Sequence, residues 1–482
     1  MMLEAFIFKH LSVRTVLLST SFLYVSFIQA EEKKNVLFII VDDLRPELEC
    51  YGSEAVITPF INGLAAQSVI FQNAYCNAPV SGASRSSLLT GVYPDITQKR
   101  FVDAETWSQK DLPGVITLPQ AFKNAGYYTI SVGKVFHHFN DRTDSWSEFP
   151  WIVSPASGDW ALYNKWHVWK NEIPEEELHS QSHRGPYCEG AYVPDSCYED
   201  YKIARKAVAE LSRLKEKKQP FFLAVGFRKP HLPFIAPQKY WDLYERKDIK
   251  IADNRYRSEN LPEQVQNSCE IFQYTHVGNT SDEDFHREAR HAYYACVSFI
   301  DTQIGIVLNE LRRLNLTDNT IVVLLGDHGW HLGEHNFWGK HTLFNQVTHA
   351  PFMVSYPGGM HGSSSSIVEF VDIYPSLCEA CGIPQPRHLQ GRSFLPTLKD
   401  PKKKHRDYAF IQWEKGVNLV TLNYSYAQWY DSSLNIVSEM LFDHRNDPEE
   451  NKNVAGENKY CKLIKRFQTD IKKKQEETLP LK

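Results

Sequence analysis

The run Asn35-Val-Leu-Phe-Ile-Ile-Val41 is apolar after its first residue and stops abruptly at Asp42-Asp43. An unbroken β-branched and aromatic run of this kind fits a strand buried on both faces, as in a parallel sheet. Phe221–Gly226 and Thr320–Leu325 repeat the pattern, and Val69–Tyr75 and Tyr128–Val132 read as further strands. Helical spacing of apolar residues separates these runs, over Pro59–Gln67, Leu118–Ala125, Ile203–Lys217 and His291–Leu314. Strands alternating with helices predict an α/β fold with a large mixed, mostly parallel sheet flanked by helices. From about Asp407 the pattern changes to short β-type runs and then a basic helix, Tyr460–Lys474, read as a solvated face. This divides the chain into a main domain over residues 31–400 and a small C-terminal α+β subdomain over 401–482. Gly358–Ser366 reads as a loop, as does the tryptophan-rich stretch 141–200, with Trp146, Trp151, Trp160, Trp166 and Trp169.

Residues 1–30 have the order of a secretory signal: Lys9 and Arg14, a mostly apolar Val16–Ile28, and Ala30 before a polar Glu31-Glu32-Lys33-Lys34. An exported protein, periplasmic or secreted (lysosomal in a eukaryote), is expected, with no membrane span once the signal is removed. Export permits disulfides. Of the nine cysteines, Cys188 and Cys197 are the expected bridge, while Cys378-x-x-Cys381 reads as helix packing rather than a zinc site. The net charge of −5 gives no global sign of a nucleic-acid partner.

Candidate chemistry lies at the strand ends. Asp42-Asp43, Lys134, His231 and Asp327-His328 each follow the carboxyl end of an apolar run. In open α/β sheets that edge is where ligands bind, so residues distant in sequence would meet there. Asp42, Asp43 and Asp327 are hard oxygen donors suited to Ca²⁺ or Mg²⁺. Ser81-Gly-Ala-Ser-Arg85 opens a helix, where free backbone N–H groups favour an anion. Alone, each piece is also an ordinary turn or cap.

Together they resemble the sulfatase family of the alkaline-phosphatase superfamily. The resemblance is carried by Val41-Asp-Asp-Leu-Arg-Pro-Glu-Leu48, Ser81-x-Ala-x-Arg85 with Leu89-Thr-Gly91, Gly133-Lys134, Lys229-Pro-His231, Gly326-Asp-His-Gly329, Gly333-Glu-His335, Lys340 and Leu441-Phe-Asp-His-Arg-Asn-Asp-Pro448. Within the family, Ser131-Val-Gly-Lys-Val-Phe-His137, Lys229-Pro-His-Leu-Pro-Phe234 and Ser298-Phe-Ile-Asp-Thr-Gln-Ile-Gly305 are most similar to the iduronate-2-sulfatase branch. The resemblance implies an alkaline-phosphatase-like catalytic domain. It also implies a 2-O-sulfated uronic acid of heparan or dermatan sulfate, or an oligosaccharide of these glycosaminoglycans, as substrate.

Carried over residue by residue, the resemblance implies one Ca²⁺ held by Asp42, Asp43, Ser81, Asp327 and His328. Residue 81 would be oxidised to formylglycine by a maturation enzyme. Arg85, Lys134 and Lys340 would neutralise the sulfate, His231 or Lys340 would protonate the departing sugar oxygen, and His137 would act as base. Animal sulfatases carry cysteine where this chain has Ser81, so the likeness is to the serine-type subset found in bacteria. Two other readings stay open: a phosphatase or phosphodiesterase of the same superfamily using unmodified Ser81, and an unmatured glycan-binding protein.

Overall fold

The computed structural model describes residues 33–153 and 185–478. The expected signal segment, and Trp160, Trp166 and Trp169, lie outside these residues. A seven-stranded sheet holds β1 (Asn35–Val41), β2 (Val69–Tyr75), β3 (Tyr128–Gly133), β4 (Phe221–Phe227), β5 (Thr320–Gly326), β6 (Phe352–Ser355) and β7 (Gly362–Glu369). Their order is β7-β2-β6-β5-β1-β4-β3. Strand β6 runs antiparallel to both neighbours, and the other pairings are parallel. The helices that matter here are α1 (Pro59–Ala65), α2 (Ser81–Thr90), α3 (Leu118–Asn124), α4 (Glu199–Lys217), α5 (Glu283–Arg313), α6 (Ile373–Ala380) and α7 (Cys461–Thr478).

Side-chain alternation accounts for the unbroken apolar run of β1. Leu37, Ile39 and Val41 join Leu223, Val225 and Leu324 under α1, α4 and α5. Val36, Phe38 and Ile40 join Phe222 and Val323 on the opposite face, under α2, α3 and α6. Both faces are dry, so both sets must be apolar. The segment Ser298–Gly305, singled out as a family likeness, does structural work inside α5. The Asp301 carboxylate accepts the backbone N–H groups of Phe60 (3.1 Å) and Ile61 (2.7 Å) at the start of α1, and burial pushes its carboxyl up to about 7.

The later β-type runs form an antiparallel sheet of β8 (Ala409–Trp413), β9 (Gly416–Val420), β10 (Tyr424–Tyr430) and β11 (Ile436–Asp443). Phe410, Leu419 and Leu441 on one face meet Ile464, Phe467 and Ile471 of α7. Ile411, Met440 and Phe442 on the other meet Phe337, Leu343 and Phe344. The C-terminal sheet therefore supports the segment that carries Lys340. Helix α7 is only half solvated: its apolar stripe is buried, and Lys474 places its ammonium 4.2 Å above the Tyr93 ring.

Three further expectations need correction. Gly358–Ser366 is not all loop, since Gly362 begins β7, which pairs with β2 across an irregularity between Ser364 and Ile367. Its Gly-Ser content hides the edge strand because polar small residues are depleted from strand interiors. Cys188 and Cys197 are not bridged; all nine cysteines are free thiols. Cys188 instead lies on a short strand paired with Phe234–Pro237. Within 141–200, Trp151 exchanges backbone hydrogen bonds with Ser131 and Gly133 at the edge of β3, so this part of the stretch extends the sheet.

Two glycines fix the exit of β3. Gly133 and Gly226 face each other in register, and Gly133 takes a left-handed φ of 76°. A Cβ on Gly226 would lie 1.8 Å from the Lys134 carbonyl oxygen, and one on Gly133 would lie 2.2 Å from that of Gly226. This close approach turns Lys134 back across the strand end, where its N–H donates to Gly226 (2.9 Å). Gly226→Ala should lower stability by about 1–3 kcal/mol, the usual range for forced overpacking. A shift of the urea midpoint at unchanged m-value will register it.

Candidate active site

Strand ends β1 and β5 lie side by side, with Val41 opposite Gly326. The Asp327 N–H donates to Val41 (3.1 Å), and the Asp43 N–H donates to the Asp327 carboxylate (3.0 Å). Asp43 has a left-handed φ of 57°. That turn brings two consecutive carboxylates to the same side, which an extended strand cannot do. One donor atom each from Asp42, Asp43, Asp327 and His328 lies within 4.8 Å of the others, and all four residues are buried.

Ser81 is the first helical residue of α2, with Val80 as the N-cap and no side-chain cap bond. Its hydroxyl is used otherwise. It donates to Asp42 Oδ1 (2.8 Å) and lies 3.1 Å from His328 Nε2. The capping alternative is thereby excluded for Ser81. His328 Nδ1 donates to the Gly329 carbonyl (2.9 Å), which turns Nε2 toward Asp43 (3.4 Å) and Asp327 (3.7 Å). An imidazole nitrogen and three carboxylates facing one another in a dry pocket suit a cation at their centre. The oxygen-rich donor set fits a hard divalent ion such as Ca²⁺ or Mg²⁺.

Cationic side chains flank this cluster. Arg85 is 0% exposed; its Nε donates to Asp327 (2.8 Å) and its Nη2 lies 3.4 Å from Asp42. It also donates to the carbonyls of Lys134 and Val135. Arg85 thus clamps the carboxylates and the β3 exit. Lys134 pairs with Asp42, and Lys340 with Asp43 at 2.9 Å. Burial alone would raise the Asp42 carboxyl, but Lys134 and Arg85 overcome it and hold it well below the usual carboxylate range. Burial prevails at Asp43, whose carboxyl is raised although Lys340 and His231 oppose the shift. Burial pushes Lys134 down. Lys340 is pushed the other way, because Asp43 and Glu270 outweigh its burial.

Glu270 carried no sequence signal. It sits just before a short 3-10 turn, Ile271–Gln273, in an irregular stretch without periodicity. Its carboxylate meets His231 Nε2 at 3.1 Å and Lys340 at 3.3 Å, and these partners hold it well below the usual range despite burial. His231 Nδ1 faces the Leu232 carbonyl at 2.6 Å. Both of its ring nitrogens thus face acceptors. Neighbouring Lys229 is structural, donating to the carbonyls of His231 (2.8 Å) and Pro233 (2.6 Å). Glu334 is also structural, pairing with Arg45 (3.0 Å) and Arg290 (2.6 Å).

Ser81, Arg85, Lys134, His231, Lys340, Asp42, Asp43, Asp327 and His328 are thus joined by a continuous set of polar contacts. His137 stands apart, beyond the β3 exit, with its Nε2 4.0 Å from Glu105. Its field still comes from this site: after burial, the Lys134 charge is the largest cause holding its imidazole well below 6.5.

Comparison with known proteins identifies the family. The Sulfatase family model matches residues 34–383, and the model for the N-sulphoglucosamine sulphohydrolase C-terminal region matches 333–477. Iduronate 2-sulfatase of Mus musculus is 35% identical over 414 residues, covering 77% of this chain and 72% of the relative. The Homo sapiens enzyme is 34% identical over 425 residues, covering 79% and 75%. Delta 4,5-hexuronate-2-O-sulfatase of Bacteroides thetaiotaomicron is 27% identical over 462 residues, covering 90% and 87%. Among solved structures, a 2-O GAG sulfatase aligns with a TM-score of 0.68 at 23% identity, covering 93% of each chain. Phosphonate monoester hydrolase of Agrobacterium radiobacter aligns with a TM-score of 0.72 at 19% identity, covering 93% and 96%, so the fold itself serves more than one ester chemistry. The chain belongs to the sulfatase family, whose members are sulfuric ester hydrolases.

Proposed function

We propose that this sulfatase removes the 2-O-sulfate of iduronate or related uronate residues in heparan or dermatan sulfate, using a matured Ser81 and one Ca²⁺. The observation that carries the reading is the Ser81 hydroxyl, seated between Asp42 and His328 with Lys134 and Lys340 on either flank. The 34–35% identity to iduronate 2-sulfatases supports the uronate specificity. The signal-like first thirty residues support export; among the described residues no helix is long and apolar enough to cross a membrane. Serine at position 81, where the resemblance places cysteine in animal sulfatases, calls for a maturation enzyme that accepts serine.

Asp42, Asp43, Asp327, His328 and residue 81 would hold the ion. When bound, the ion and a hydrated formylglycine supply a hydroxyl activated for attack on sulfur and a second hydroxyl through which sulfate is released. The remaining steps belong to other side chains. Lys134 and Lys340 neutralise charge that grows on the sulfate oxygens. Arg85 keeps Asp42 and Asp327 in register. His231, oriented by Glu270, donates a proton to the departing sugar oxygen, with Lys340 beside it. His137 takes the proton that must leave residue 81.

The phosphatase reading leaves the Ser81 side chain unmodified. Mass spectrometry of the Ser81 peptide from active protein should find it lighter by two hydrogens, as formylglycine; an intact serine in fully active protein would favour the phosphatase reading. Matured enzyme should release sulfate from 2-O-sulfated uronates faster than from 6-O- or N-sulfated glucosamine.

His231→Ala should lower kcat on a sugar sulfate about 10²–10⁴-fold, the usual size of general-acid catalysis. The loss should be much smaller on an aryl sulfate whose leaving group needs no proton. Equal losses on both substrates would remove His231 from the acid role.

The pH profile tests His137. A base must be neutral, and its imidazole is held well below 6.5 by burial, then by Lys134, His138 and Arg85, with Asp42 opposing and Glu105 at its rim. The acid limb of kcat should therefore lie below pH 6.5. A limb at or above that pH would be inconsistent with His137 as the base.

A further inference from the structure

We propose that Glu105, His137 and His138 form a second metal site, for a transition metal of the Zn²⁺ class, and that filling it inhibits the enzyme by occupying His137. The inhibitory half rests on His137 acting as the base, as argued above. One donor atom from each of the three residues lies within 4.8 Å of the others. The Glu105 carboxylate is 4.0 Å from His137 Nε2 and 3.6 Å from His138 Nε2. Donors around a tetrahedral Zn²⁺ with bonds of roughly 2.1 Å sit about 3.4 Å apart, so a small closure completes the set. Glu105 can supply it, because its side chain is 78% exposed.

The site is built, not a chance meeting of surface groups. The Asp141 carboxylate accepts from the N–H of Ser108 (2.7 Å) and of Gln109 (3.0 Å), and the Asp141 N–H donates to the His138 carbonyl (3.0 Å). The two loops that carry the ligands are therefore tied to each other. The His138 ring stacks on Trp107 at 4.0 Å and 13°, which fixes its plane. Ala104 lies against the start of α2, where a Cβ on Gly82 would meet its carbonyl oxygen at 2.1 Å. The loop carrying Glu105 is thereby anchored one residue from Ser81.

The donor set also selects the metal. Two imidazoles and one carboxylate, with a fourth position left to water, suit Zn²⁺, whereas Ca²⁺ needs six to eight oxygens. For His138 to bind through Nε2, its ring proton must sit on Nδ1, and the 3.3 Å contact with the Glu105 carbonyl is given up.

The test uses full-length matured protein loaded with Ca²⁺ and titrated with ZnCl₂, following turnover and heat of binding. Wild type should bind one equivalent of Zn²⁺ and lose turnover at least tenfold. His138→Ala and Glu105→Gln should keep wild-type turnover without Zn²⁺ and need about tenfold or more Zn²⁺ for the same inhibition. Inhibition of both variants at the wild-type Zn²⁺ concentration would overturn the proposal, since the metal would then be acting at the Ca²⁺ site. Binding that both variants lose, without inhibition of wild type, would keep the site but refute its hold on His137 and with it the assignment of His137 as base.

Discussion

A buried balance of charge governs this molecule. Three carboxylates, Asp42, Asp43 and Asp327, are gathered where water does not reach, and unpaired ions in such a place cost several kcal/mol each. Arg85, Lys134 and Lys340 offset them. Each cation comes from a different part of the chain: a helix start, a strand exit and an irregular segment after β5. The charge balance is thus also a constraint on topology, because the sheet order, the Gly133–Gly226 contact and the turn at Asp43 all serve to bring these groups to one point. The balance also explains why Arg85 is better described as a clamp. Its Nε and Nη1 are spent on the Asp327 carboxylate and the carbonyls of Lys134 and Val135.

The C-terminal sheet participates in the same arrangement from a distance. Leu343 and Phe344 pack into its face, Asn418 donates to the Leu343 carbonyl (3.0 Å), and His341 stacks on Trp413 at 5.2 Å. Lys340 therefore takes its position from strands that follow it in the chain by some seventy residues or more. Glu270 closes the ring from yet another irregular stretch, tying Lys340 to His231.

Much of this was legible in the sequence because the physics that shaped it was local. A strand buried on both faces must be continuously apolar, so β1 and β5 could be bounded to within a residue. The polar residues that break those runs had to sit at the carboxyl edge, so Asp42-Asp43 and Asp327-His328 could be placed together. Legibility failed where structure depends on partners far along the chain. Strand β7 reads as a loop because only the edge of β2 makes it a strand. Glu270 and Glu105 lie in segments with no period, and their meaning comes from the histidines and lysine they meet. The start of α5 at Glu283, ahead of the expected His291, lies in a charged first turn whose apolar partners begin only at Phe285.

The burial of Ser81 has a bearing on the order of events in the life of the chain. In the folded protein this residue is 2% exposed, at the foot of a helix whose ten residues are all buried. No second enzyme can grasp a side chain so placed without dismantling the sheet edge around it. If residue 81 is oxidised, the oxidation must come before the chain closes over it, while the Ser81–Arg85 segment is still an extended peptide. Maturation and folding then compete in time, and a chain that folds first is committed to remaining a serine protein.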